Sequence, residues 1–351
     1  MDKIAIIGMG LIGGSIGLAL NRANRGTLEV VGFDTEPKAA KRAVKLGAVS
    51  KATRHLNEAV GGANMVIIAT PVLAIRETLE AIAGMLSPGC VVTDTGSTKE
   101  AIMTWAEEYL PKEVSFVGGH PMAGKETSGI DAADADLFKD ARYVVIPGRT
   151  ASQEAIEAVL NLVQLLGARN FFLDAFEHDS YVAAVSHLPI VLSAALVTAA
   201  AKSPSWREIS KLASTGFRDA TRLASGDPIM NLDICLTNRD GILYWIDETV
   251  RELLEYKKQI AAATTESGDE EAIDKLADTF ANSWEIRERW LAHYESGRDD
   301  DGDSSRPETP GAGDLMGEML MGRAIRDRYK KMSSLFERQQ EDPRRRRLRR
   351  S

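Results

Sequence analysis

KIAIIGMGLIGGSIGLALNRA, residues 3–23, changes character at Gly8. KIAIIG (3–8) is a short apolar run of the kind a buried strand needs, and beyond it the apolar residues recur at helical spacing. The joint is Gly8-Met9-Gly10-Leu11-Ile12-Gly13, a GxGxxG pattern, and Asp34 ends the next apolar run, LEVVGFD (28–34), about 20 positions on. Each part has a physical task in holding a dinucleotide. Gly8 allows the tight turn, Gly10 lets the backbone approach a pyrophosphate, and Gly13 lets helix and strand pack closely. The helix N-terminus adds amide donors and the positive end of its dipole. A carboxylate at Asp34 accepts both ribose hydroxyls and repels a 2′-phosphate, which favours NAD; Lys38 and Arg42, in the helix that follows, keep NADP possible.

Outward from this turn the chain alternates. EPKAAKRAVKLG reads as a helix stopped by Gly47, MVIIAT (65–70) as a strand, and Pro71 suits the first turn of a helix running to about Leu86. VVTDTG (91–96) and VSFVGG (114–119) are further strands flanking a helix near 98–109, for which Ser97 and Glu100 form a capping-box signature. RYVVIP (142–147), a helix near 152–166 and RNFFLD (169–174) complete the pattern. Short apolar strands alternating with helices predict a parallel, doubly wound sheet with right-handed crossovers. From Ala175 to about Tyr294 strand signals vanish and helical periodicity takes over. The expected organisation is an α/β Rossmann-type domain over 1–173 and an all-α domain over 174–296. SGRDDDGDSSRPETPGAGD (296–314) reads as a disordered linker, so 297–351 is expected to be a linker and a basic tail, ending in RRRRLRRS, with a possible amphipathic helix.

Composition narrows the function classes. With 351 residues, 44% hydrophobic and 27% charged, the chain is an ordinary globular protein long enough for two cores. Its net charge of −8 gives no general reason to bind nucleic acid. Two cysteines, Cys90 and Cys235, lie far apart in apolar contexts without metal-type spacing, which fits a reducing cytosol. Asp2 and Lys3 lead straight into a strand, with no signal peptide pattern. The most apolar stretch, 182–201, is interrupted by Ser186, His187 and Pro189 and does not read as a membrane span. A cytoplasmic location is the expectation.

A nicotinamide cofactor moves hydride, and the protein must then accept the proton of the hydroxyl being oxidised. GGHPMAG (118–124) offers His120 for this. It follows an apolar strand at its carboxyl end, where ligands of open α/β sheets bind, and imidazole supplies a neutral base near pH 7.

Four motifs carry a family resemblance: GMGLIGGS at the first turn, GHPMAG (119–124), SHLP (186–189) and GFRDATRLASGDPIMNLDI (216–234). Over roughly residues 3–260, and in the same order, the chain resembles the prephenate/arogenate dehydrogenases of tyrosine biosynthesis. The resemblance implies an NAD-dependent oxidative decarboxylation of a cyclohexadienyl ring, taking prephenate to 4-hydroxyphenylpyruvate or arogenate to tyrosine. It makes His120 and Ser97 catalytic, with His120 the acceptor of the C4 hydroxyl proton. It places Arg222 on the ring carboxylate, Glu126 as an acidic partner that can pair with the arginine and gate the site, and His187 and Gly216 among the substrate-binding residues. Gly8, Gly10, Leu11, Ile12, Gly13, Asp34, Thr70 and Pro71 form the cofactor set. His178 also matches a family histidine and reads as structural; nine residues from His187 on one helix, it is not expected to share a face or a metal with it. The helical domain, whose VAAVSHLPIVLSAALVTAAA needs covering, is expected to form a homodimer.

One departure bears on the substrate. The resemblance expects SHLPH in members that prefer prephenate, and here Ile190 takes the last place. A polar contact to the keto-acid end is removed, leaving arogenate or relaxed specificity open. Two other functions are weighed. A 3-hydroxy-acid or 6-phosphogluconate-type dehydrogenase wants a lysine on the first long helix of the second domain, and 176–201 has none. A non-catalytic NAD-sensing regulator would bind cofactor without turnover, against which the His120–Ser97–Arg222 set argues.

Overall fold

The computed structural model describes residues 2–24, 26–264 and 270–296, so the linker and tail expected over 297–351 lie outside the described residues. Strand β1 (Asp2–Ile7) runs through the glycine turn into α1 (Leu11–Ala23), followed by β2 (Leu28–Phe33) and α2 (Pro37–Leu46). Then come β3 (Lys51–Ala52), α3 (Leu56–Val60), β4 (Met65–Ile68), α4 (Val72–Ile82), β5 (Val91–Asp94), α5 (Glu100–Tyr109) and β6 (Ser115–Pro121). β7 (Arg142–Pro147), α6 (Gln153–Leu165) and β8 (Arg169–Phe172) complete an eight-stranded sheet ordered β3-β2-β1-β4-β5-β6-β7-β8. Alternate residues feed opposite faces. Ala5 and Ile7 join one core, under the helices that follow β3, β4 and β5, while Ile6 joins the other with residues of α1, α2 and α6.

The sheet is mixed, which corrects the all-parallel expectation. Strands β1 to β6 run parallel, but β7 is antiparallel to β6, with His120 opposite Val144, and β8 follows β7 in the same direction. The cause is the connection 122–141, which contains one 3-10 turn (Ile130–Ala132) and no crossover helix to carry the chain back to the starting edge. Strand β3 is only two residues long, too short to register as a periodicity. The strand order reverses between β1 and β4, and the crevice outside that point is where doubly wound sheets bind ligands.

After β8 the chain is helical throughout the described residues: α7 (Ala175–Val182), a π turn (Ala183–His187), α8 (Leu188–Ala201), α9 (Trp206–Leu212), α10 (Thr215–Thr221), α11 (Pro228–Thr237), α12 (Arg239–Ala262) and α13 (Glu270–Ser296). Asp174 opens α7 with a full capping box, accepting from the Glu177 amide at 2.8 Å while Glu177 accepts from its own. The stretch Ala175–Ala201 is long and apolar enough to cross a bilayer by length and composition alone, yet it carries the buried polar residues His178, Asp179, His187 and Ser193. The described residues divide into two compact units, the boundary falling after Thr249. The first holds the whole sheet together with α7 to α11. In the second, Tyr256 meets Phe280 at 5.4 Å between ring centroids, and Thr279 donates to Gln259 at 2.9 Å.

Candidate active site

The glycine turn is built for close approach. Gly8 has φ +97°, and a Cβ there would sit 2.4 Å from the Ala69 carbonyl oxygen, so the end of β4 with Thr70 lies directly against the turn. Around Gly10 there is open space, and the α1 amides begin at Leu11 and Ile12. Gly13 packs against the Gly8 carbonyl. Asp34 accepts from the Met9 amide at 2.6 Å and from the Glu36 amide at 2.7 Å, which fixes its carboxylate beside the turn. These features fit a dinucleotide: a bare backbone at Gly10, an open helix N-terminus and an anchored acceptor for ribose hydroxyls. Arg42, in the helix that follows Asp34, is engaged with Asp131 at 2.6 Å. Pro71 caps the start of α4, one residue before its first turn.

Successive strand ends line the same carboxyl edge: the Gly8 turn after β1, Thr70 after β4, Ser97 after β5 and His120 within β6. His120 is buried. Its Nδ1 lies 2.8 Å from His178 Nε2, and His178 Nδ1 lies 2.7 Å from Asp179 Oδ1. Asp179 also accepts from the Lys99 amide at 2.7 Å and the Glu100 amide at 2.9 Å. The N-terminus of α5 is thus capped from α7, and the capping box expected of Ser97 and Glu100 is absent, since no side chain within the segment caps the helix. Asp233 of α11 does the same for α4, accepting from the Leu73 amide at 3.0 Å. Two buried carboxylates of the helical region therefore fasten it to helix starts beside the sheet's carboxyl edge, where anions are favoured.

Beneath His120 lies a fully buried ion pair, Lys99 with Asp94. Lys99 Nζ also donates to the Gly119 carbonyl at 2.8 Å, and Asp94 accepts from the Gly119 amide at 3.1 Å and the Gly96 amide at 2.7 Å. A Cβ on Gly119 would stand 2.6 Å from the Asp94 carbonyl oxygen and 2.8 Å from the Tyr143 hydroxyl, so only glycine fits in front of His120.

Pro189 explains how His187 reaches this cluster. Proline has no amide proton and its ring crowds the carbonyl four residues back, so the helix widens into the π turn Ala183–His187 just before it. The wider turn changes the rotation of His187 from that of a regular helix, and the ring lies near enough to His178 and His120 for each to disfavour a charge on its neighbours. His187 Nδ1 accepts from the Asn238 amide at 3.0 Å, while its Nε2 has no hydrogen-bond partner and its ring lies against the Ser97 main chain. His178, read from sequence as structural, is the residue that touches His120. Asp179, Lys99, Asp94, Asn238 and Asp233 were not singled out in the sequence. The available signal was Asp179 beside His178 in a largely apolar stretch, where a charge needs a buried partner.

The other expected residues separate. Arg222 pairs with Glu126, both half-exposed, joining the segment after β6 to the 3-10 turn after α10. The backbone amide of Glu126 and the Arg222 guanidinium hold that carboxyl below its usual range. The Ser97 side chain makes no hydrogen bond with the described residues, and Gly216 is exposed on α10 with nothing near its α-carbon.

Burial pushes all three histidines down. For His120 burial is the largest cause, followed by His178, Lys99 and His187; His187 falls to about 4, and Asp179 offsets part of the effect at His178. Each is therefore neutral when folded and takes up a proton more readily when unfolded. Stability from this source is complete above about pH 6.5 and declines as pH falls toward the folded values. Moving one histidine from 6.5 to about 4 contributes on the order of 3 kcal/mol. Urea unfolding at pH 7.5 and at pH 5 should show the decline, in a window above the titration of ordinary carboxylates. Equal stability at the two pH values would refute it.

Two family models match: "Prephenate dehydrogenase, nucleotide-binding domain" over residues 16–172 and "Prephenate dehydrogenase, dimerization domain" over 174–282. A prephenate dehydrogenase of Bacillus subtilis (strain 168) is 38% identical over 254 residues, covering 72% of this chain and 68% of the relative. The crystal structure of Synechocystis arogenate dehydrogenase aligns with TM-score 0.68 at 29% identity, over 82% of this chain and 99% of that one. That of prephenate dehydrogenase from A. aeolicus, in complex with hydroxyphenyl propionate and NAD+, aligns with TM-score 0.72 at 28% identity, over 82% and 98%.

Proposed function

The chain belongs to the prephenate dehydrogenase family, and on that premise we propose that it catalyses the NAD-dependent oxidative decarboxylation of prephenate or arogenate, with His120 as proton acceptor. The observation that carries the reading is a buried, neutral imidazole at the carboxyl end of β6, on the edge that also holds the glycine turn. Gly8, Gly10, Gly13 and Asp34 would hold the dinucleotide, with Leu11 and Ile12 supplying the helix start and Thr70 and Pro71 bordering the turn. Bound NAD+ supplies the hydride acceptor.

The chain's own residues handle the rest. His120 takes the C4 hydroxyl proton as C4 gives up its hydride, and the C1 carboxylate leaves as carbon dioxide to make the ring aromatic. Arg222 binds that carboxylate with its guanidinium fork in place of Glu126, which occupies the arginine until substrate arrives. Ser97 stands beside the reacting edge, with its hydroxyl unengaged by the described residues. His187 lines the cleft, and Gly216 belongs to the α10 segment that leads to Arg222. The helical region exposes Leu192, Leu196, Leu232 and Leu236, which supports a homodimer formed through it. Two free cysteines, Cys90 and Cys235, suit a reducing cytoplasm.

The substrate preference follows from Ile190. An apolar side chain cannot hydrogen-bond a keto acid, and the lost bond is worth about 0.5–1.5 kcal/mol, roughly 2- to 13-fold in kcat/KM. Arogenate should therefore be used at least as well as prephenate, and NAD better than NADP. Steady-state kinetics with both substrates and both cofactors tests this. A preference for prephenate above about tenfold would overturn the assignment to Ile190, and absence of turnover with either would overturn the enzyme reading.

A further inference from the structure

Proton positions in the histidine cluster follow from which atoms can donate. A carboxylate only accepts, so the contact between His178 Nδ1 and Asp179 Oδ1 places a proton on His178 Nδ1. Burial, together with the nearby Lys99 cation, holds the His178 ring below its ordinary range, so that is its single proton and Nε2 is a lone pair. His120 Nδ1, 2.8 Å away, must then be the donor. The lone pair of His120 is left on Nε2, the nitrogen that His178 does not engage.

Resting on the reading of His120 as proton acceptor, we propose that Asp179 and His178 are positioning residues that fix His120 in its Nδ1–H tautomer. Through the same contacts they share the charge that forms when Nε2 takes the substrate's proton. Asp179 is suited to this because it cannot swing away: its two oxygens also accept from the Lys99 and Glu100 amides at the start of α5. The other charged and titratable groups facing the cluster are Lys99 from the α5 start, Asp94 from β5 and His187 from the π turn. Lys99 and Asp94 are matched to each other, which leaves Asp179 as the carboxylate bonded to the histidines. In the reaction the proton leaves the hydroxyl oxygen for His120 Nε2, and the His120 Nδ1 proton moves toward His178 Nε2. Asp179 remains an acceptor throughout and gains no proton, as in other carboxylate–histidine arrangements.

Asp179→Asn removes the charge and keeps an acceptor. Its amide oxygen takes the Oδ1 place, to which both the Lys99 amide and His178 Nδ1–H donate, so the tautomers stay and the imidazolium formed at His120 loses its carboxylate. The test combines imidazole nitrogen NMR on the full chain labelled with 15N-histidine, without ligands, and steady-state kinetics of Asp179→Asn, His178→Gln and His120→Asn. Wild type should show a neutral His120 protonated on Nδ1. Asp179→Asn should keep that proton on Nδ1 and lower kcat about tenfold or more, with KM and NAD affinity little changed, because the charge that balances the imidazolium is gone. His178→Gln keeps an acceptor for His120 but cannot share charge, and should lose about tenfold or more in kcat, the worth of a charge-assisted hydrogen bond.

A His120 protonated on Nε2 in wild type overturns the proposal, as does an unchanged kcat in the variants alongside a lowered thermal midpoint, the result of mere helix capping. If Asp179→Asn does not fold, the wild-type tautomer and His178→Gln decide the matter. Failure of the underlying reading has a separate signature, since His120→Asn would then keep its activity.

Discussion

Replacing His120 by Asn should leave dinucleotide affinity unchanged and lower kcat roughly 10²–10⁴-fold, the usual contribution of a positioned general base. The glycine turn and Asp34, which would hold the cofactor, depend on contacts among β1, β2 and β4 and not on the imidazole. Asn is small enough for the buried position opposite Val144 and can still donate toward His178 Nε2, so the fold should survive. What it cannot do is accept a proton near neutral pH. In wild type the acidic limb of kcat/KM should lie below pH 6.5, because burial and the neighbouring His178, Lys99 and His187 all disfavour the protonated ring. The base therefore stays available as pH falls, until protonation takes it away. Kinetics of wild type and variant from pH 5 to 9 checks both points: a variant kcat within a few-fold of wild type would remove His120 from the chemistry, and a wild-type limb above 6.5 would contradict its burial.

The glycine turn, the alternation and the edge position of His120 were legible because each leaves a local mark: a spacing, a period, or a strand followed by glycines. The direction of β7 was not, since it depends on the absence of a crossover helix in a polar connection whose residues look the same either way. Nor was the pairing of His178 with His120, two residues 58 apart brought together by the docking of α7 against the start of α5. Spacing on a regular helix does not place His187 either, because its rotation depends on the π turn that precedes Pro189. Lys99 leaves no mark of its burial in the polar run TGSTKE; here it is fully buried, because Asp94 at the end of β5 and the Gly119 carbonyl complete its shell.

That pair sets the second large effect. Lys99→Met should destabilise the protein by about 3–5 kcal/mol, because it strands the Asp94 carboxylate where no water reaches it. Against a total stability of about 5–15 kcal/mol this is a substantial fraction, visible as a lower urea midpoint. Asp94→Asn leaves the opposite charge behind and should cost a similar amount. With Asp94 gone, burial acts on Lys99 opposed only by Asp179, so its folded pKa, already held down in the wild type, falls further below the unfolded one; the unfolded state binds more protons, and the deficit shrinks as pH rises toward that of ordinary lysine. The double variant Asp94→Asn/Lys99→Met buries no charge. It should cost no more than either single replacement, which makes the interaction energy at least about 3–5 kcal/mol, one whole single loss and above the 0.5–3 kcal/mol usual for coupled neighbours. Activity should not recover in step, because Met cannot donate to the Gly119 carbonyl and the backbone presenting His120 loses that tether. A double variant as unstable as the two single losses added together would show that the two charges do not depend on each other, and the buried pair would then have no part in holding the histidine strand.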